Sequence, residues 1–334
     1  MKDKYGREID YLRISITDRC NLRCVYCMPE DGICQVSHKE ILTYDEIQRI
    51  CSCITTLGIK KIKLTGGEPL TRKNSAALVR MLKELPGIEK VTLTTNGVLL
   101  GEQISELAEA GIDNINISLD TMQKDKYFRI TGRDEFDQVW RGIQNTMAAG
   151  MKVKLNCVPI GGVNDDEIAD FFELARKNPI DVRFIEMMPI GHGREYDAVS
   201  VEDILDQLKN RYEGIEEIQR KKGNGPAVYF ENEEFRGSIG LIGAVHKKFC
   251  ESCNRIRLTS EGFLKLCLYY SEGVDLRSLV RGGASDEEIT AVIAQAIANK
   301  PQEHHFSCDA VNTVDNMCGG QSTPLEEYKN ILIT

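Results

Sequence analysis

Two sets of three cysteines are the residues whose type and spacing best suit chemistry. Cys20, Cys24 and Cys27 lie near the start of the chain, and Cys250, Cys253 and Cys267 lie near its end. Three thiolates in a short loop can hold three corners of a cubane iron–sulfur cluster, leaving the fourth iron open to a small molecule. Structural zinc is the competing use of such residues, but zinc closes its coordination with four ligands. Cys34 or His38 would complete the first set and His246 the second, so spacing alone leaves both chemistries open. The chain has 12 cysteines and a polar start, Met1-Lys-Asp-Lys-Tyr-Gly6. That combination fits ligands in a reducing compartment better than disulfides, and the expected location is the cytoplasm.

A second candidate chemistry is anion binding. Net charge is −9, which argues against a nucleic-acid surface. No stretch approaches the roughly 20 apolar residues of a membrane span. A negative chain grips an anion only where its few cations converge. Arg255 and Arg257 follow Cys253 at alternate positions of a predicted strand, so they share a face, and guanidinium forks suit phosphate and purine acceptors. Arg13, Lys61, Lys63, Lys154 and Arg183 sit on or beside different predicted strands, which a barrel would bring together. Taken singly, each lysine reads as a solvated surface charge.

The elements that must position these groups follow from periodicity. Leu12, Ile14 and Ile16 alternate with polar residues as a strand does. Thr43-Tyr-Asp-Glu46 has the form of a capping box opening a helix that stops by Gly58. Further strands are predicted at 61–65, 91–95, 114–119, 152–158 and 181–186, with helices ending near Pro86-Gly87, Gly111 and Gly150 and one starting from Asn164. Six strands alternating with helices imply parallel pairing and right-handed crossovers, hence an α/β fold with a partial (βα)6 barrel. In such sheets the chemistry sits at the carboxyl ends of the strands, where Thr65-Gly-Gly-Glu-Pro69, Thr94 and Ser118 fall. After residue 190 a helix over 201–212 leads to shorter strands at 227–230, 235–242 and 255–259. The expected organisation is a partial barrel over 1–190 and, over 191–334, a smaller C-terminal α+β layer that closes its open side and carries the second triad.

Cys20-x3-Cys24-x-Tyr26-Cys27 resembles the signature of the radical S-adenosylmethionine (SAM) superfamily. Gly66-Gly-Glu-Pro69, one βα unit downstream, resembles that family's SAM-contacting glycine motif; glycine allows the backbone close to a ligand. Phe249-Cys-x2-Cys-Asn-Arg-Ile-Arg-Leu-Thr259 with Cys267, together with Leu12-Arg-Ile-Ser15, Ile130-Thr-Gly-Arg133, Asn164-Asp-Asp-Glu167 and Arg183-Phe-Ile-Glu-Met-Met188, narrows this. The whole resembles the molybdenum cofactor biosynthesis protein A family of GTP 3′,8-cyclases over roughly residues 5–320. The resemblance implies two [4Fe–4S] clusters, one on each triad, with SAM on the first and the guanine of GTP on the second. It implies SAM contacts at Tyr26, Gly67, Ser118 and Met188. It implies GTP contacts at Arg13, Lys61, Lys63, Thr94, Lys154, Arg183, Arg255, Ile256 and Arg257, with Arg255 and Arg257 also the candidate catalytic residues. A 5′-deoxyadenosyl radical would take the ribose C3′ hydrogen of GTP, and the carbon radical would attack guanine C8.

The implied partners are a flavodoxin- or ferredoxin-type reductant and the cyclic pyranopterin monophosphate synthase that receives the product. A homodimer is compatible with the reading; nucleic acid and membrane are not expected. Rival readings are a radical SAM peptide-modifying enzyme with auxiliary clusters and a zinc or iron–sulfur regulatory protein. Two departures from the family stand out. Position 63 is lysine where arginine is expected, replacing a bidentate grip by a point charge. The Gly-Gly pair that commonly ends these proteins is here Gly319-Gly320, followed by 321–334. His304, His305, Cys308 and Cys318 have the residue types to bind metal, but read rather as part of a solvated tail. Cys34, Cys51, Cys53 and Cys157 carry no assigned role and read as small buried apolar residues.

Overall fold

The computed structural model describes residues 1–306 apart from Glu30, Ile33, Cys34 and Lys221. Cys34, Cys308, Cys318, Gly319-Gly320 and the extension 321–334 therefore lie outside the described residues.

Strands β1 (Tyr11–Ser15), β2 (Lys61–Thr65), β3 (Lys90–Thr95), β4 (Asn114–Ser118), β5 (Val153–Cys157) and β6 (Ile180–Ile185) pair in parallel in chain order. All six predicted strands are present, none displaced by more than one residue at an end. Their strict alternation divides two environments. Leu12, Ile14, Ile62, Leu64, Leu93, Ile117, Leu155 and Phe184 go into the helix-facing core. Arg13, Lys63, Thr94, Lys154 and Arg183 line the opposite, concave face.

Helices α1 (Tyr44–Thr55), α2 (Ser75–Lys83), α3 (Leu100–Glu109), α4 (Lys124–Thr131), α5 (Phe136–Ala148) and α6 (Ile168–Lys177) cover the apolar side. The predicted capping box opens α1: the Thr43 hydroxyl accepts from the Glu46 N–H at 3.2 Å, and the Glu46 carboxylate accepts from the Thr43 N–H at 2.7 Å. The single helix expected before Gly150 is two. Gly132 adopts φ +67°, and its N–H closes α4 on the Phe128 carbonyl at 2.8 Å. That break lets the Arg23 and Val25 N–H groups bond the Thr131 and Ile130 carbonyls, docking the first cysteine loop on the end of α4.

Beyond residue 190 the chain adds α7 (Val201–Arg211), β7 (Glu216–Glu217), β8 (Val228–Glu231), β9 (Ser238–Ile242), β10 (Arg255–Leu258), β11 (Phe263–Lys265), β12 (Gly273–Asp275), α8 (Leu276–Arg281) and α9 (Asp286–Ala298). β9 pairs parallel with β6 and β10 parallel with β1, giving the order β12-β11-β10-β1-β2-β3-β4-β5-β6-β9-β8-β7. The C-terminal part thus extends the partial barrel at both edges within one open sheet. Among the described residues no helix is long and apolar enough to cross a membrane.

Candidate active site

The first triad leaves the carboxyl end of β1. Its loop is pinned by the turn after β2: the Gly67 N–H bonds the Thr17 carbonyl at 2.9 Å and the Glu68 N–H bonds the Arg19 carbonyl at 2.7 Å. A Cβ on Gly67 would stand 2.3 Å from the Arg19 carbonyl oxygen, so only glycine permits this approach. Glu68 is buried and anchors the third strand end, accepting from the Thr95 hydroxyl at 2.7 Å and the Asn96 N–H at 2.6 Å. The Tyr26 hydroxyl donates to buried Asp120 at 2.6 Å, and Asp120 also accepts from the Val158 N–H at 2.8 Å. Asn164 and Glu167 complete this scaffold: the Asn164 amide bonds the Asp120 carbonyl at 2.7 Å, while Glu167 accepts from the Thr121 hydroxyl and the Met122 N–H.

These contacts surround a cavity of about 290 Å³ whose wall contains Cys20, Cys24, Cys27, Tyr26, Gly67, Ser118 and Met188. Every SAM-side residue expected from the sequence therefore faces one space. Burial pushes the Cys20 thiol up to about 11 and the Cys27 thiol up to about 12, and raises Cys24 well above the usual range. The protein alone offers these thiols no counter-charge sufficient to ionise them, which is what sites completed by a metal show.

The second triad is assembled by a hairpin. β10 and β11 are antiparallel with Arg257 opposite Lys265, so Cys253 before β10 and Cys267 after β11 emerge at the same end. Cys250 is one turn earlier, in the 3-10 turn Cys250–Ser252. This is why a gap of 13 residues still makes one site. Because β10 runs parallel to β1, this triad lies toward the strand starts, whereas the first lies off the strand ends. Burial opposes ionisation of Cys253, but Arg255 and Lys300 outweigh it and lower the thiol to about 6. Phe249 and Leu268, neighbours of Cys250 and Cys267, line the same small cavity as the first triad.

Among the described residues no three His, Cys, Asp or Glu side chains converge as a single ion requires. A cluster spreads its thiolates around several irons instead. The two histidines that would have closed zinc sites are engaged elsewhere: His246 is bonded to the buried Glu186 carboxylate, and His38 lies 2.9 Å from an Arg19 nitrogen. All nine described cysteines are free of disulfides.

A larger cavity of about 780 Å³ continues from the small one, sharing Arg13, Thr94, Asn156 and Arg255 in its wall. Register explains its charge: Arg13 stands between Lys63 on β2 and Arg257 on β10, and Asn156 stands beside Arg183. The Nε atoms of Arg13, Arg183, Arg255 and Arg257 are buried with no hydrogen-bond partner. Burial lowers Arg13 to about 9, Arg257 to about 10 and Lys154 to about 8; burial and the surrounding arginines hold Lys63 well below its usual range. A cluster of desolvated cations with unused donors is a site built for an anion.

Two expected contacts, and one residue read as tail, sit differently. Lys61 reaches the cavity rim, but its ammonium is tied to Asp10 at 2.5 Å. Ile256 has its side chain in the helix-facing core and lines neither cavity. His304 is buried, not part of a solvated tail. Lys154 faces the cavity beside Asp181 at 3.7 Å and contacts the Lys222 carbonyl. Sequence reading places Asp120 and Asn156 at strand ends without giving them a role, and misses Lys222.

The depressed Lys154 predicts proton uptake. A bound polyanion restores its ammonium, so at pH 8 nucleotide binding takes up protons from buffer. Calorimetry in buffers of different ionisation heat checks this; uptake falls in Lys154→Met, and zero uptake in the unaltered chain refutes it.

Comparison with known proteins agrees with this geometry. Residues 14–175 match the Radical SAM superfamily and residues 180–306 match Molybdenum Cofactor Synthesis C. The chain is 47% identical over 306 residues to the GTP 3′,8-cyclase of Clostridium perfringens strain SM101, covering 92% of this chain and 95% of that protein. It is 47% identical over 311 residues to that of Moorella thermoacetica, covering 92% and 95%. Among solved structures it is similar in fold to Streptococcus suis SuiB bound to its precursor peptide SuiA, with TM-score 0.58 and 14% identity, covering 98% of this chain and 71% of that one. The chain belongs to the radical SAM superfamily and, within it, to the GTP 3′,8-cyclase family.

Proposed function

We propose that the chain converts GTP to 3′,8-cyclo-7,8-dihydro-GTP, the first step of molybdenum cofactor biosynthesis. The observation that carries this is a small cavity walled by the first triad and by Phe249 and Leu268, neighbours of the second, which opens into a larger one lined by buried arginines whose Nε atoms have no partner. When bound, the clusters and SAM supply the one-electron chemistry that takes a hydrogen atom from the ribose. The remaining work belongs to the protein.

Tyr26, Gly67, Ser118 and Met188 hold the SAM end. Cys20, Cys24 and Cys27 would hold the first cluster, and Cys250, Cys253 and Cys267 the second. Arg13, Lys63, Lys154 and Arg183 take the triphosphate, joined at the rim by Lys61. Thr94 adds a hydroxyl, steadied by the Asn116 amide at 3.4 Å. Arg255, where both cavities meet, and Arg257, on the wall of the smaller one, fix the ribose–guanine part. Holding ribose and base rigidly is itself a large part of catalysis. The product passes to a cyclic pyranopterin monophosphate synthase, and a flavodoxin- or ferredoxin-type protein supplies the electron.

Lys63 gives the sharpest residue-level check. Its buried ammonium has neighbours of like charge, so phosphate oxygens are the partners it lacks. Lys63→Ala weakens GTP binding by about tenfold or more, the value of a charged hydrogen bond. Equilibrium binding under anaerobic conditions measures it, and an unchanged Kd removes Lys63 from the site. Lys63→Arg retains binding.

A further inference from the structure

The two triads sit in opposite electrostatic surroundings. The charged groups acting on Cys24 and Cys27 are Asp120 and the companion thiols, and Cys20 feels Glu68 as well as Arg23. The second triad is different. Lys300, just past the end of α9, is 2% exposed, one of the largest fully buried side chains in the protein. Its ammonium donates to the carbonyl of Leu266, the residue before Cys267. Among the described residues no carboxylate pairs with it, and the anionic groups that act on it are Cys253 and Cys267.

The surrounding backbone fixes it there. Buried Arg7, held by Asp3 at 2.6 Å, donates to the carbonyls of Pro301 at 2.5 Å, Gln302 at 2.6 Å and Cys250 at 2.9 Å. One guanidinium thus ties the start of the chain, the segment after Lys300 and the second triad together. A lone ammonium out of water is costly unless an anion repays it. Here the thiolates are what can repay it.

We propose that Lys300 is a positioning residue for the second cluster: a fixed buried positive charge that retains its iron and makes it easier to reduce than the first. The physical reason is that a nearby cation favours the more negative, reduced cluster, and net charge is one of the levers on cluster potential. This rests on the reading that Cys250, Cys253 and Cys267 hold a cluster. It assigns to the chain's C-terminal segment a role in tuning that cluster, separate from GTP contact.

The test uses the full chain with Cys20, Cys24 and Cys27 changed to alanine, reconstituted anaerobically so that only the second cluster remains. Lys300→Gln keeps a donor toward the Leu266 carbonyl and removes the charge. Its cluster should be reduced at a lower potential in a redox titration followed by electron paramagnetic resonance. Its iron should be lost to a chelator about 10- to 100-fold faster, the usual effect of an outer-shell change. Lys300→Arg should restore both, and Lys300→Met gives the same reading as glutamine should that variant not accumulate. In the complementary chain, with the second triad changed to alanine, Lys300→Gln should leave the first cluster unaltered. Potential and iron loss unchanged within about twofold overturn the proposal, as does an equal shift in both clusters or a failure of arginine to restore. A chain with only the second triad that takes up no iron overturns the cluster reading along with it; full iron with an unshifted potential overturns Lys300 alone.

Discussion

Exchanging Cys253 for alanine abolishes GTP cyclisation while leaving SAM cleavage intact. The hairpin β10–β11 brings Cys253 and Cys267 to one end, and His246 is held by the Glu186 carboxylate rather than poised to replace a lost thiolate. Iron falls from about eight per chain to about four, one [4Fe–4S] cluster's worth. The first triad is untouched, because its loop is pinned by Gly67, Glu68 and the end of α4 on elements that do not include the hairpin. Reconstituted protein assayed with SAM and dithionite therefore still yields 5′-deoxyadenosine, but no cyclic nucleotide. Loss of both products would mean that the two sites are not separable as their positions require.

The second large effect is at Arg257, and its sign on stability is the informative part. Arg257→Met preserves bulk and removes a buried charge that faces Arg13 across the β1–β10 register and lies within reach of Arg255. Turnover drops by at least about 100-fold, since removing one partner of a buried charge pair costs about 2–5 kcal/mol. The nucleotide-free chain does not lose stability, and its Tm holds or rises, because like-charged neighbours repel in the empty cavity. Ordinary core truncations lower activity and Tm together. A Tm that falls along with turnover would make Arg257 a packing residue.

The same repulsion predicts that polyanions stabilise the chain. Inorganic tripolyphosphate at 100 times its Kd adds about 2.7 kcal/mol by mass action. A thermal scan shows this as an upward shift that weakens in Lys63→Ala, and no shift would deny the cation cluster its anion.

How much of this was legible beforehand depended on whether the signal was local. The six core strands could be read because each carries its own alternation, and the α1 cap because Thr43 and Glu46 are three residues apart. Both triads were visible as spacings. What could not be read was long-range. Nothing in 238–242 or 255–258 announces that these strands add in parallel to β6 and β1, since parallel pairing leaves no turn signature. The break at Gly132 was hidden because a lone glycine in a helical pattern is usually tolerated. Lys61 looked equivalent to Lys63 by type and differs in being less buried and held by Asp10, the residue before β1. Ile256 was grouped with the flanking arginines, although alternation sends its side chain to the opposite face. Lys300 and Arg7, whose partners are backbone carbonyls near the triad, left no trace at all in the residue pattern.

The central claim is that this cavity holds GTP with its ribose C3′ at the site of hydrogen abstraction. GTP carrying deuterium only at C3′, incubated anaerobically with the reconstituted full chain, SAM and reductant, measures it directly. The account predicts deuterium in 5′-deoxyadenosine and its absence when the label sits at another ribose carbon. Label arriving from another ribose position, with none from C3′, would contradict it.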